Sequence, residues 1–213
     1  MSARLVLACL LMGFTALVAQ VTLTRELLAL FYGNELSIAL VLAVWLVAVA
    51  AGSAAGARVA PRLDLSERAF GWSQLAMAVL LPLSLLTSRH VQVGSLAPGQ
   101  VLGPGATLLA SLETLAPVCL AAGLQFVLAA SAAAARRHLR ARRRGQPQTC
   151  RHSPCAGAVV GGIAYHWWFA EYAMPLATLA LAGLLNVASA AALLRLRLPF
   201  VGLPIAVGSA LAV

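Results

Sequence analysis

Lysine is absent from this sequence of 213 residues, and only six residues are acidic. Charged side chains make up 10% of the chain, where a soluble domain carries roughly a quarter. That shortage excludes a water-soluble domain of useful size once the apolar segments are set aside. Cysteine is scarce too, at four residues. Cys9 and Cys119 fall inside apolar runs, and Cys150 and Cys155 fall in an arginine-rich stretch, so a secreted disulfide framework is excluded. No GxGxxG follows a strand pattern, and no P-loop, HExxH or GxSxG occurs. No catalytic residue and no cofactor site can therefore be assembled. A metal site is not expected either. Cys150, His152 and Cys155, with His138 upstream, lack the paired Cys-x2-Cys spacing of zinc sites, and arginines crowd them.

What the chain does have is apolar length. Hydrophobic residues make up 62%, and the mean hydropathy is +0.91. The pattern predicts an all-α polytopic membrane bundle of about six spans plus an incomplete seventh. The expected spans are roughly 5–23, 36–57, 69–87, 106–134, 156–172 and 176–194, with 198–213 too short for a comfortable crossing. That last stretch suggests a fragment ending inside a helix. Arg4 and the run after it resemble a signal peptide. The run is as long as a span needs and has no clear small-residue cleavage site, so it reads as a retained helix. Three regions follow: membrane helices over 1–135, an Arg-rich cytoplasmic linker over 136–155, and further membrane helices over 156–213.

The net charge of +9 comes from arginine alone. A pI near 11 in a soluble protein would suggest nucleic acid, but these arginines sit at the ends of apolar segments. With the N-terminus inside, the cytoplasmic side holds Arg4, Arg58, Arg62, Arg68, the arginines from Arg136 to Arg151, Arg195 and Arg197. Only Arg25 and Arg89 fall outside, which favours an N-in orientation. The run Arg136–Arg144 is then a topology signal and a contact for anionic lipid. It lacks interleaved stacking aromatics, so nucleic acid is not expected as a partner. The lipid bilayer is the expected solvent, with a second copy or another membrane protein as a candidate partner.

One stretch organises the rest: Gln20 to Glu35, between the first two spans. It holds Arg25, Glu26 and Glu35, and so two of the six acidic residues. Ionisable groups at membrane depth are costly, and are usually paired or functional. If span one continues helically to Phe31, Arg25, Leu28 and Tyr32 share a face. Gly33 would end the helix, Asn34 would cap the next, and Glu35 would sit in its first turn, where a negative charge suits the helix dipole. Two readings stay open. Gln20, Arg25, Glu26, Tyr32, Asn34 and Glu35 form a polar pocket or relay at the outer face, or they clamp helices one and two with Arg25 snorkelling to headgroups. Glu113 and Gln125 are the polar members of span four, and Glu113 is a further candidate, as a relay carboxylate or as an acceptor for Thr or Gln on neighbouring helices. Gly52 and Gly56, and later Gly157 and Gly161, are small residues at helical spacing and read as packing positions. Pro82 and Pro117 are expected to bend their helices, Pro175 to mark a turn, and Gly94–Gly105 to form a loop marked by Ala97-Pro98-Gly99 and Gly103-Pro104-Gly105. Trp72 and the cluster His166, Trp167, Trp168 and Glu171 read as interface belts, and Asn186 as an interhelical hydrogen bond.

Gly13 to Gln20, then Arg25-Glu26-Leu-Leu, Phe31-Tyr-Gly-Asn-Glu35 and the Gly52–Gly56 region resemble the membrane region of bacterial membrane-bound spermidine-synthase-like proteins, of the polyamine aminopropyltransferase family. Leu115-Ala-Pro117-Val-Cys-Leu, Gly157 to Gly162 and Leu184-Leu-Asn186 extend the likeness across most of residues 5–195. The resemblance implies a multi-span module of the bacterial inner membrane that precedes a cytoplasmic Rossmann-like transferase domain. That domain's catalytic and cofactor residues have no counterparts in this sequence. The implied role is a noncatalytic membrane module of a protein linked to polyamine biosynthesis. The Arg-rich linker departs from the family, which carries an aromatic and acidic patch before the Gly157 segment. A different class is a small-solute transporter or channel subunit with a polar site at Arg25, Glu26 and Glu35.

Overall fold

The computed structural model describes residues 3–31, 35–62, 66–95, 103–141, 153–169 and 174–194. Among them the chain is all helical. α1 runs Ala3–Leu30, α2 Glu35–Val59 (with a 3-10 turn at Ala60–Arg62), α3 Ser66–Ser95, α4 Pro104–Ala141, α5 Ser153–Ala164 and α6 Pro175–Leu194. All but α5 are long and apolar enough to cross a membrane. Among the described residues the chain is thus a helical bundle with five helices long and apolar enough to span a membrane, as a membrane protein has. The fifth expected span is shorter than the rest: twelve residues of α5, then a π-helical turn at Tyr165–Phe169. Residues 198–213, the expected partial seventh helix, lie outside the described residues.

Helix boundaries follow local chemistry. α1 continues past Leu23 to Leu30, because nothing between Phe14 and Leu30 is Gly or Pro. Its threonines return their hydroxyls to their own helix, Thr15 to the Leu11 carbonyl and Thr22 to the Val18 carbonyl, each at 2.8 Å. Glu35 opens α2 in its first turn. Pro104 and Pro175 were expected in loops or turns, yet each is the first residue of a helix. Proline has no N–H to lose there, and its fixed φ suits the helix start. In both cases the preceding carbonyl is used twice: Gly103 accepts from the N–H and hydroxyl of Thr107, Met174 from those of Thr178. The expected loop over 94–105 is shorter at both ends, since α3 reaches Ser95 and α4 begins at Pro104. The expected linker is shorter as well, with α4 continuing to Ala141 and α5 starting at Ser153. Pro82 and Pro117 lie inside α3 and α4, within otherwise good helix formers.

Except for α3 and α4, neighbours in sequence are not the main neighbours in space. α2 packs on α4, α4 on α3, α3 on α6, α6 on α1 and α1 on α5, while α1 and α2 touch only slightly. Glycines give the directions. Gly52 meets the Leu120 backbone and Gly56 meets Leu124, so α2 and α4 run parallel. Gly157 meets Leu10 and Gly161 meets Phe14, so α5 and α1 are parallel too. Gly71 meets Leu194 and Gly183 meets Ala78, so α3 and α6 are antiparallel. The register gathers the starts of α1, α3 and α5 with the ends of α2, α4 and α6. Arg4, Arg58, Arg62 and Arg68 therefore share one end of the bundle, and Arg25, Glu35, Arg89 and His90 lie toward the other.

Two apolar clusters fill the interior. One, toward the Glu35 end, joins Leu23, Leu27, Trp45, Met77, Leu81, Leu115 and Leu179 among others. The second, toward the Arg4 end, joins Leu5, Cys9, Phe70, Leu128 and Ala132. The outer surface is also apolar: Leu46, Val47, Val79, Leu109 and Val159 are all exposed. Apolar residues inside and out, with polar groups confined to a few buried places, is the arrangement a bilayer solvates.

Candidate functional site

The two apolar clusters are separated by a layer of amides. On α3, Gln74 lies between Phe70 of one cluster and Met77 of the other; on α4, Gln125 lies between Cys119 and Leu128. Gln74 is 0% exposed. Its Nε2 donates to the Ala8 carbonyl of α1 at 3.3 Å and to the Ser189 hydroxyl of α6 at 3.2 Å. Gln125 Nε2 donates in turn to Gln74 Oε1 at 2.8 Å. One side chain thus ties four helices. With no water at this depth, such bonds are satisfied by protein or not at all. Each is worth roughly 0.6–2 kcal/mol between membrane helices.

The layer is not fully satisfied. Asn186, one turn before Ser189 on α6 and 0% exposed, donates Nδ2 to its own Ala182 carbonyl at 2.9 Å. Its Oδ1 is buried without a partner; so is Thr114 Oγ1, about three turns away from the layer on α4. Asn186 was expected to bond across helices; its bond stays within α6. Buried polar atoms with no partner are uncommon, and each leaves part of its desolvation cost uncompensated.

The residues singled out from sequence are dispersed by comparison. Arg25 is exposed on α1, and Gln20 and Glu26 are half-buried on the same helix. Glu35 is exposed at the start of α2. Tyr32 and Asn34 lie outside the described residues, as do Gly33, Glu171 and Tyr172. Glu113 is exposed on α4 and takes no hydrogen bond from Thr or Gln of a neighbouring helix among the described residues. The α2–α4 register sets it roughly three turns deeper than Glu35. A clamp between α1 and α2 has little contact to act through, because α2 spends its packing face on α4.

The glycines do meet backbone. A Cβ on Gly52 would overlap the Leu120 carbonyl, one on Gly123 the Val49 carbonyl, and one on Gly157 the Leu10 carbonyl. On Gly161 it would lie 2.9 Å from the Phe14 carbonyl oxygen. Ser53 Oγ donates to the Gly123 carbonyl at 3.3 Å, a hydrogen bond that only a close approach permits. Trp72 and Trp167 are 64% and 75% exposed, with His166 edge-on to Trp167 at 6.4 Å between ring centres. No group of three or more His, Cys, Asp or Glu side chains could hold a metal among the described residues. The side chains of Arg136–Arg144 lie outside the described ones.

No family model, curated protein or solved structure matches this chain. Gln74 and Ser189 were missed in the sequence, where Gln125 was noted only as a polar member of its span. The available signal was amides inside apolar runs: Gln74 in 69–87, Gln125 in 106–134 and Asn186 in 176–194.

Proposed function

We propose that this chain is a membrane-embedded scaffold module, noncatalytic in itself, and that it serves as the membrane portion of a spermidine-synthase-like protein in the bacterial inner membrane. The observation that carries the scaffold reading is the Gln74 layer. The polar groups inside the bundle bond one another across four helices, and so hold the helices together, whereas the ionisable candidates Arg25, Glu35 and Glu113 are exposed. The likeness of the Gln20–Glu35 and Gly52–Gly56 stretches to that family supports the choice of protein class. The shared end of Arg4, Arg58, Arg62 and Arg68 supports an N-in orientation, with Arg136–Arg144 against anionic headgroups on the same side.

Topology is tested with reporter fusions at residues 33, 99 and 145. Activity of an external reporter is expected at 33 and 99, and of a cytoplasmic reporter at 145. An external 145 overturns the orientation. Purified chain in lipid vesicles should show no aminopropyl transfer above background. Solute uptake that depends on Arg25 and Glu35, lost in Arg25→Ala and Glu35→Ala proteins of normal fold, would replace the scaffold reading with a transporter.

A further inference from the structure

Among the described residues two prolines stand well inside helices, Pro82 in α3 and Pro117 in α4. The Gln125–Gln74 hydrogen bond sets the register of these two antiparallel helices. Pro82 follows Gln74 by eight residues and Pro117 precedes Gln125 by eight, so both lie about 12 Å from the amide layer, toward the Glu35 end. Each leaves one carbonyl without its helical N–H, that of Ala78 in α3 and that of Glu113 in α4. The two helices of one hairpin are therefore weakened at the same level.

Their contacts differ on the two sides of that level. On the side of the amide layer α3 and α4 are firmly held. Gln74 and Gln125 bond across helices, Gly52 and Gly123 join α4 to α2, and a Cβ on Gly183 would lie 3.1 Å from the Ala78 carbonyl oxygen. Beyond the prolines, the buried hydroxyls of Ser84, Ser88, Thr107 and Ser111 donate to carbonyls three or four residues earlier in the chain. Thr114 Oγ1 is buried without a partner. A Cβ on Gly103 or Gly105 would meet nothing within 4 Å. Leu85, Ala110 and Leu115 hold this part by apolar contact, which helices in lipid exchange for acyl chains at little cost.

We infer that the far half of the α3–α4 hairpin, residues 82–95 with 104–117, is a flap that swings about Pro82 and Pro117 and opens a hydroxyl-lined interior to water at the Glu35 end. The prolines supply the pivot, because a helix bends where a main-chain bond is missing. The hydroxyls supply the lining: Thr107, Ser111 and Thr114 recur at i, i+4 and i+7 on one buried face of α4. Thr114 Oγ1 distinguishes the two states. With the flap closed its desolvation is uncompensated, and with the flap open water bonds it. Water has a short way to come, since Thr114 is level with Leu85, about one turn from the exposed Arg89.

The test places pairs of spin labels on a chain with its natural cysteines replaced, in lipid nanodiscs open to reagents from both faces. Val21→Cys with Leu86→Cys spans α1 and the flap, and Leu7→Cys with Trp72→Cys spans the held half. All four positions are exposed. The flap pair should give two distances and the other pair one. Pro82→Ala with Pro117→Ala restores both main-chain bonds and should collapse the flap pair to a single distance. The held pair, which verifies the fold, should not change. A thiol at Thr114→Cys should react with a charged, membrane-impermeant thiol reagent, and roughly tenfold more slowly once both prolines are alanine. Cys119, kept as the single cysteine of a parallel chain, is buried on the held side of Pro117 and should stay protected. One distance for the flap pair with both prolines in place overturns the inference, and so do two distances for the held pair. Distances and reactivity that the alanines leave unchanged overturn it too, as does a Thr114→Cys thiol no more reactive than Cys119.

Discussion

The α2–α4 seam and the α3–α6 seam solve one problem with different means. Lipid chains are as apolar as leucine, so helices in a bilayer gain little by hiding apolar surface from their solvent. The α2–α4 seam replaces side chains with backbone: Gly52, Gly56 and Gly123 bring two parallel helices close enough for Ser53 to reach a main-chain carbonyl. The α3–α6 seam has glycines as well, Gly183 beside the Ala78 backbone and Gly71 against the Leu194 side chain, but adds an amide hub, in which Gln74 reaches Ser189 and, beyond it, two further helices. The first depends on the absence of atoms, the second also on the presence of a few. They should therefore fail differently.

The largest effect is expected at the glycine seam. Gly52→Leu or Gly123→Leu forces a side chain into backbone that cannot move alone, and should cost about 3 kcal/mol or more. Reversible unfolding in mixed micelles measures this, and a loss under 1 kcal/mol would mean the helices are not in contact there. Next comes the hub. Gln74→Leu strands the Gln125 amide and should cost about 1–3 kcal/mol. The Gln74→Leu/Gln125→Leu pair should cost less than the two single changes added together, since neither amide is then left alone. Additive losses would show that the two side chains do not share a bond. Asn186→Leu sharpens the contrast within the same layer. It removes an acceptor that has no donor, so stability should stay within roughly 1 kcal/mol of the natural protein, or rise. A loss comparable to that of Gln74→Leu would reveal a partner for Oδ1. The smallest effect separates neighbours on α5. A Cβ on Gly162 would lie 3.4 Å from a Leu17 methyl, an ordinary contact, so Gly162→Ala should be neutral or gain up to about 1 kcal/mol of helix propensity. Gly161→Ala, one residue away, should lose stability against the Phe14 carbonyl. Equal thermal shifts for the two would refute the assigned face.

Much of the fold was legible because apolar length is a strong signal. Runs bounded by arginine, proline and glycine marked the long helices to within a turn or two, and α1 continued through Arg25 to Leu30 as its composition allows. Partner choice was not legible. Nothing in Gly52 or Gly56 says that the facing backbone belongs to α4 and not to α1, because a glycine advertises room and not who fills it. The site was harder still. Charge drew attention to Arg25, Glu35 and Glu113, yet these side chains are exposed. The interior was given to uncharged amides, whose cost in lipid is lower and whose donors and acceptors can close on one another. Gln74 reads as an ordinary polar residue until the register of α3 sets it opposite Ser189, and that register is decided by contacts scattered along the whole chain.

The order of the helices along the chain bears on how the protein is made. α2 leaves the ribosome well before α4, its main partner, and α1 before α6 and α5, so the earliest segments enter the bilayer with their packing faces unmatched. Among the described helices only α3 and α4 are sequential neighbours that pack as a hairpin, so hairpin-by-hairpin assembly can make one of the contacts and not the rest. The glycine faces of α2 and α5 and the Gln74 amide of α3 must be tolerated by lipid, or shielded by the insertion machinery, until the later helices arrive to cover them.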